Sequence, residues 1–409
     1  MMTMRRRVHR ILWAVLAAGA VLVASAPAAS AHGEAAQEAF LRMRTVSWID
    51  TTYSATTVKQ GETFTISGTA KILDAWPTNL AKGNPNTGYI GLIAPGPVVI
   101  LKERTINGVS APSRIDVQKG KIYEYSMTVA GRRPGKWHVH PAFSVKGAGT
   151  LLGPGEWITV EENPDGFDNP VTLVSGGTIN LENYQLPFTW IWLVLTFLIG
   201  LAWMIYWTVP KRTVTNLAVT SQIPLNTDGM DYGLITKKDH RNMNWFALGT
   251  ALLLVAGWIY QSAAFPDKMP QQIFQFAPPD PAIASAPVFA EVALGSAEYD
   301  SASQTLTVRT QVTNTGDTPM NLTQFTTTTL RFATGTTPGP GVMTVSPSPT
   351  IAPGAPTEVT MTMKDPAWET ERLVPIGESS LLITGVMVFE AGGEKNYTEL
   401  EANLKPRFE

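Results

Sequence analysis

Histidine is scarce in this 409-residue chain, which makes its placement informative: there are five, His9, His32, His138, His140 and His240. His138-Val139-His140 follows Arg132-Arg133-Pro134-Gly135-Lys136-Trp137, a turn that leads into a strand. Residues two apart on a strand share one face and stand about 6.6 Å apart along it, so two imidazoles can converge on one ion. Alone, the pair fits a metal site and two hydrogen-bonded strand histidines equally well. His32 moves the balance toward metal. It follows Ala29-Ser30-Ala31, an A-x-A cleavage pattern. Cleavage there makes His32 the first residue, able to offer an imidazole nitrogen and an α-amine to the same ion. That amine has an ordinary pKa of about 7.7–8, so a metal must displace its proton and acid should weaken binding.

The chain has no cysteine, which excludes disulfides, thiolate nucleophiles, iron–sulfur clusters and a His/Cys blue-copper centre. Three imidazoles and an amine form an all-nitrogen set. Copper(II) heads the affinity order for such donors and prefers tetragonal geometry. Zinc held by three histidines and a water is the competitor, although no H-E-x-x-H motif is present. Loading outside the cytoplasm suits copper. Glu34 is near enough in sequence to accept a hydrogen bond at the site, or to be an ordinary solvated carboxylate. Gly147-x-Gly149 and Gly153-Pro154-Gly155 lie between strand-like runs and read as turns, not dinucleotide loops. No P-loop or G-x-S-x-G occurs. Met361-Thr362-Met363 reads as core alternation. The net charge of -2 argues against nucleic-acid binding.

The elements that position these residues follow from hydropathy. Arg5, Arg6, Arg7 and Arg10 precede the apolar run Ile11 to Val23, so residues 1–31 read as a cleaved signal peptide. Phe188 to Val209 is uncharged and long enough, at about 33 Å, to cross a hydrocarbon core; Trp245 to Gln261 is shorter but equally apolar. Their tryptophans lie mostly near the ends, where indoles favour the membrane interface. Lys211, Arg212, Lys237, Lys238 and Arg241 lie between the two spans, so this loop, with His240, is expected in the cytoplasm. Both flanking segments then face outward, giving a multi-pass cell-membrane protein. These segments carry short strand-like runs, among them Thr63-Phe64-Thr65-Ile66-Ser67 and Val359-Thr360-Met361-Thr362-Met363, with an Asn107-Gly108 hairpin signal. The expected order is a β-sandwich over 32–185, a helical hairpin over 186–263 (spans 188–209 and 245–261) and a second β-sandwich over 264–409. Ala277 to Pro287 is the expected linker.

Several motifs resemble one family. His32-Gly33-Glu34, Gln37, Ala39-Phe40, Arg42-Met43-Arg44-Thr45, Trp48 and Asp50 are similar to the mature start of the B subunit of the copper membrane monooxygenases, which include methane, ammonia and short-alkane enzymes. Ala75-Trp76-Pro77, Pro95-Gly96-Pro97-Val98, Arg133 to His140, Gly153 to Val160 and Leu181-Glu182-Asn183-Tyr184 extend the resemblance. In the second outer segment the best matches are Asp365 to Glu369 and Arg372-Leu373. The resemblance implies two cupredoxin-like sandwiches flanking a transmembrane hairpin. It implies copper held by His32 with its amine, His138 and His140, and membrane subunits A and C as partners in a trimer of heterotrimers. The implied activity is O2-dependent hydroxylation of methane, ammonia or a small hydrocarbon. Where some members carry further histidines for a second copper, this chain has Ser47 and Lys71, so one copper site is expected. The C subunit is the stronger candidate for the hydroxylating centre, and no catalytic residue is assigned in this chain. The alternative reading is a membrane-tethered copper-binding or electron-transfer module, which the absence of cysteine and methionine clusters weakens. A free-standing oxidase similar to the polysaccharide monooxygenases fits poorly with two membrane helices and an extra sandwich.

Overall fold

A computed structural model describes residues 37–111, 114–173, 176–209, 236–265, 287–335, 341–374 and 381–407. The leader with His9, His32 and Glu34, the cationic loop residues Lys211 and Arg212, and the expected linker up to Pro287 lie outside the described residues. The chain divides into two units, Met1–Pro164 with Phe276–Glu409, and Asp165–Gln275.

The first unit begins with helix α1 (Ala39–Thr45), followed by β1 (Val46–Tyr53), β2 (Thr57–Lys59), β3 (Thr63–Ile72), β4 (Gly88–Ile93) and β5 (Val99–Ile106). Then come β6 (Val109–Ser110), β7 (Ile122–Gly131), β8 (Gly135–Val145), β9 (Gly149–Leu152) and β10 (Glu156–Glu161). They form two sheets, β1-β3-β7-β5-β6 and β2-β10-β8-β4, with β9 pairing β8. Period-two alternation sends Phe64 and Ile66 of β3, and Val139, Phe143 and Val145 of β8, into one shared core. The β5–β6 hairpin turns on Asn107 and Gly108, both at positive φ (48° and 76°), as a tight two-residue turn between twisted strands requires.

In the second unit, a small hairpin of β11 (Pro170–Thr172) and β12 (Thr178–Asn180) precedes α2 (Leu186–Thr208) and α3 (Lys237–Ala264). Both helices are long and apolar enough to cross a membrane. They run antiparallel: Phe188 near the start of α2 stacks on Tyr260 near the end of α3, and Trp203 stacks on Phe246 at 4.4 Å. The second helix starts at Lys237, well before the apolar run at Trp245. The reason is local: Thr236 and Asp239 form a capping box, and Asp239 also accepts from Tyr206 Oη at 2.5 Å. Lys237, Lys238, His240 and Arg241 are therefore helical and not part of a loop.

The remaining strands return to the first unit as β13 (Ala290–Val292), β14 (Gly295–Asp300), β15 (Thr305–Asn314), β16 (Met320–Thr327) and β17 (Leu330–Thr334). β18 (Gly341–Ser346), β19 (Thr350–Ile351) and β20 (Thr357–Lys364) lead to the short helix α4 (Ala367–Thr370), then β21 (Leu381–Ala391) and β22 (Glu394–Arg407). Ladder order runs β15-β14-β22-β21-β16-β17-β18-β20, and β20 pairs back onto β15, so this sandwich is hydrogen-bonded into a ring. Met361 and Met363 alternate into its core, beside Phe332 stacked on Trp368.

The two sandwiches meet along a polar seam. Trp48 N donates to Thr328 O at 2.9 Å, Gln324 Nε2 to Ile49 O at 2.8 Å, and Ser47 Oγ lies 3.0 Å from Thr326 Oγ1. Thr328 holds a positive φ of 53° in the β16–β17 turn, a left-handed conformation that is costly for a β-branched residue and is held here by the joint itself. Ser47 and Lys71 face each other in the β1–β3 register, and both are buried. Lys71 Nζ donates to Tyr397 O at 2.9 Å and pairs with Glu399 Oε1 at 3.2 Å. Glu399 also accepts from Asp74 N at 2.9 Å. Burial holds the Glu399 carboxyl above the usual carboxylate range, against the opposing pull of Lys71 and the Asp74 amide.

Removing one member of a buried pair strands the other charge. Lys71→Met is expected to destabilise the full chain by about 3–5 kcal/mol, and Lys71→Met with Glu399→Leu by much less. Because the native state then favours protonated Glu399, its contribution is greatest below the ordinary carboxyl pKa and is lost as pH rises through the raised one. The single-variant deficit should therefore shrink on acidification. Denaturant titration in detergent reads these effects, and equal losses in both variants would show that the pair is uncoupled.

Candidate metal centre

Strand β8 has β4 along one edge and, along the other, β10 beside its first half and β9 beside its second. Since Val139 enters the core, His138 and His140 lie together on the opposite face. That face would ordinarily be wet, yet His140 is only 3% exposed. The Gly153-Pro154-Gly155 turn between β9 and β10 covers it. Gly153 N donates to Pro141 O at 2.8 Å, and Gly153 O faces His140 Nδ1 at 3.0 Å. A Cβ at Gly155 would overlap the His140 ring, so glycine there is a steric requirement of the imidazole. Tyr53 Oη, at the end of β1, lies 2.8 Å from Val139 O and 2.9 Å from Pro154 O, tying the histidine strand to the turn.

These contacts select a tautomer. A carbonyl only accepts, so His140 Nδ1 carries the proton and Nε2 keeps its lone pair. His140 Nε2 in turn stands 2.9 Å from His138 Nδ1. His138 Nδ1–H donates across that gap, and a cation binding both rings would displace this proton. The His138 ring lies over Trp157, its cross-strand partner on β10, with centroids 4.9 Å apart and planes 29° apart. Lys136 Nζ sits 5.6 Å from the Trp157 ring centroid.

The pair can be tested against a metal by its nitrogen separation. Two nitrogens bound to one ion at about 2.0–2.1 Å stand about 2.8–3.0 Å apart at a right angle, but about 3.3–3.4 Å apart at the tetrahedral angle. The observed 2.9 Å is the ordinary length of the hydrogen bond between the rings, and it is also compatible with the right-angle edge. Among the described residues, no group of three or more His, Asp or Glu side chains is arranged to hold a metal. The two histidines are two of the three expected from the sequence, and His32 is outside the described residues.

Of the residues singled out in the sequence, His138 and His140 come together, whereas His240 lies in the second unit at the start of α3. Sequence reasoning missed Tyr53 and the supporting role of Gly155. The G-P-G spacing marked a turn, and only the fold reveals which ring the turn covers. Gln37 is a further neighbour. Its Nε2 donates to Thr150 O at 2.5 Å and its Oε1 accepts from Leu152 N at 3.4 Å, on the strand that runs into Gly153.

Known proteins share this sequence along nearly its whole length. The family model for the monooxygenase B-subunit protein matches residues 33–408. The particulate methane monooxygenase alpha subunit of Methylococcus capsulatus is 33% identical over 407 residues, covering 96% of each chain. Among solved structures, the cupredoxin domain of amoB from Nitrosocaldus yellowstonii is 18% identical, with 32% of this chain and 99% of that chain covered at a TM-score of 0.24. A protein of unknown function from Porphyromonas gingivalis W83 is 9% identical, with 88% and 98% covered at a TM-score of 0.19. With its match running from just after His32 to the end of the last strand, the chain belongs to the monooxygenase B-subunit family.

Proposed function

We propose that this chain is the copper-binding B subunit of a membrane complex that hydroxylates methane, ammonia or a small hydrocarbon with O2. The observation that carries the copper reading is the convergence of His140 Nε2 and His138 Nδ1 on one strand face, with His140 fixed by the Gly153 carbonyl, in a chain of the monooxygenase B-subunit family. Proposed ligands are His138 Nδ1, His140 Nε2, and the imidazole and α-amine of His32 once the leader is cut after Ala31. Bound copper supplies one-electron redox chemistry. The chain's own residues prepare the site: Gly153 O orients one ring, Trp157 supports the other, and the Gly155 surface leaves room for the His140 ring.

Hydroxylation itself is assigned to a partner subunit. Oxidation of an unactivated C–H bond needs a site closed to water, whereas Trp157, stacked directly on His138, is 45% exposed. The copper held here then assists electron or copper supply, or holds the amino-terminal segment in place. Membrane subunits A and C are the proposed partners, in a trimer of heterotrimers. Both sandwiches, over 32–185 and 264–409, face outward on the two-helix anchor over 186–263. The kinship with a particulate methane monooxygenase chain and the two apolar helices support that assembly.

Alanine at His138 and His140 together should abolish the nitrogen-rich Cu(II) resonance assigned to this chain, and an unchanged signal would rule the site out. Gly155→Ala, which leaves every donor in place, should lower copper affinity about 10–100-fold by pushing on the His140 ring; competition with a chelator measures it. Affinity purification should recover two polytopic subunits with this chain. Recovery of a copper-loaded chain alone would favour the tethered module instead.

A further inference from the structure

We infer that β1 is the positioning strand of the histidine pair: its Trp48 and Tyr53 hold the 153–155 turn against His140, and the second sandwich holds Trp48. The functional meaning of this rests on the copper reading above, to which it adds the reason that the pair keeps one geometry.

The two contacts differ in kind. Trp48, 2% exposed, is a core residue of the first sandwich and meets Tyr125 edge-on, with ring centroids 5.4 Å apart and planes 88° apart. Gly153 rests against the Trp48 ring: a Cβ there would stand 2.8 Å from both Trp48 Cε2 and Pro141 Cγ. Only hydrogen fits between the indole and the turn. Tyr53 engages the next residue of the turn. Its single phenol proton is shared between Pro154 O at 2.9 Å and Val139 O at 2.8 Å, so the turn is tied to the backbone between the two histidines. Trp48 thus limits the turn sterically and Tyr53 fastens it by hydrogen bonding. Gly153 O faces His140 Nδ1, and withdrawing the turn by a fraction of an ångström weakens that bond and lets the ring rotate.

The position of Trp48 is set in turn from outside its own sandwich. β1 is an edge strand, paired with β3 alone. Its register shifts between Trp48 and Asp50, so Ile49 is the extra residue of a bulge, where the ladder is locally disrupted. There Ile49 O accepts from Gln324 Nε2 at 2.8 Å, and Trp48 N donates to Thr328 O at 2.9 Å. Gln324 lies on β16 and Thr328 in the β16–β17 turn, so both partners belong to the second sandwich. No histidine occurs in that sandwich. Its role at the site is to fix the strand that fixes the turn.

The test reads the tautomer of His140 in the metal-free full chain. Nitrogen-15 spectra of histidine-labelled protein in membranes, taken above the ordinary imidazole pKa of about 6.5, distinguish a ring protonated at Nδ1 from one protonated at Nε2. Comparison with His140→Gln assigns the signal. Wild-type protein should show His140 protonated at Nδ1 alone. Tyr53→Phe removes one oxygen, and Trp48→Phe shrinks the support for Gly153. Each should add a second signal from rings protonated at Nε2, and lower copper(II) affinity about tenfold in competition with a chelator. Gln324→Leu, which alters only the seam, should do the same to a smaller extent. Val129→Ala, a core change on β7 two strands from β1, should lower the unfolding midpoint and leave tautomer and affinity alone, which separates positioning from general stability. A wild-type spectrum in Tyr53→Phe would overturn the inference, whether or not Trp48→Phe folds, and one in Gln324→Leu would overturn the role of the second sandwich. Wild-type protein in which His138 and His140 take up no copper would overturn the copper reading and leave the positioning role of β1 standing.

Discussion

The hydrogen bond from His140 Nδ1 to the Gly153 carbonyl is the constraint on which the candidate centre depends. It determines which nitrogen of that ring keeps its lone pair, and hence that the ring accepts from His138 through Nε2. The bond needs a turn pressed against the strand, which is why Gly155 lacks a side chain there and why Tyr53 ties Pro154 to the backbone between the histidines. A loosely packed turn would let the imidazole rotate, and the 2.9 Å nitrogen separation would be one arrangement among several. Preorganisation of this kind concentrates the cost of ordering in folding and removes it from metal capture.

The same logic extends to the relation between the sandwiches. The first is not self-contained, because the helix that precedes its first strand is packed into the core of the second. The seam between them combines backbone carbonyls, threonine hydroxyls and a buried ion pair with a small apolar cluster of Leu73, Ala75 and Val386. Polar seams fix relative position more sharply than apolar ones, since each hydrogen bond tolerates little displacement. Closure of the second sandwich into a ring adds rigidity by removing its free strand edges.

Much of this was legible in the sequence, for identifiable reasons. The H-x-H spacing predicts a shared strand face, the uncharged runs predict two long apolar helices, and Asn107-Gly108 predicts the tight hairpin that forms. Membership of the monooxygenase B-subunit family was equally visible in motifs around Gln37 and the histidine pair. What could not be read was anything that depends on contacts distant in sequence. Glycine at 155 reads as turn chemistry, and its steric role needs the ring 15 positions upstream to be placed beside it. Helix α1 is short and weakly patterned, so nothing local announces that Met43 belongs to a core formed after residue 287. The early start of α3 comes from a cap at Thr236 and Asp239, a polar signal that a search for apolar length passes over.

Lys71 has a broader meaning for how the two sandwiches stay joined. At the seam this chain carries its own fixed positive charge, paired with Glu399. The junction is therefore self-sufficient: the sandwiches dock, and helix α1 seats, through side chains and backbone of this chain alone.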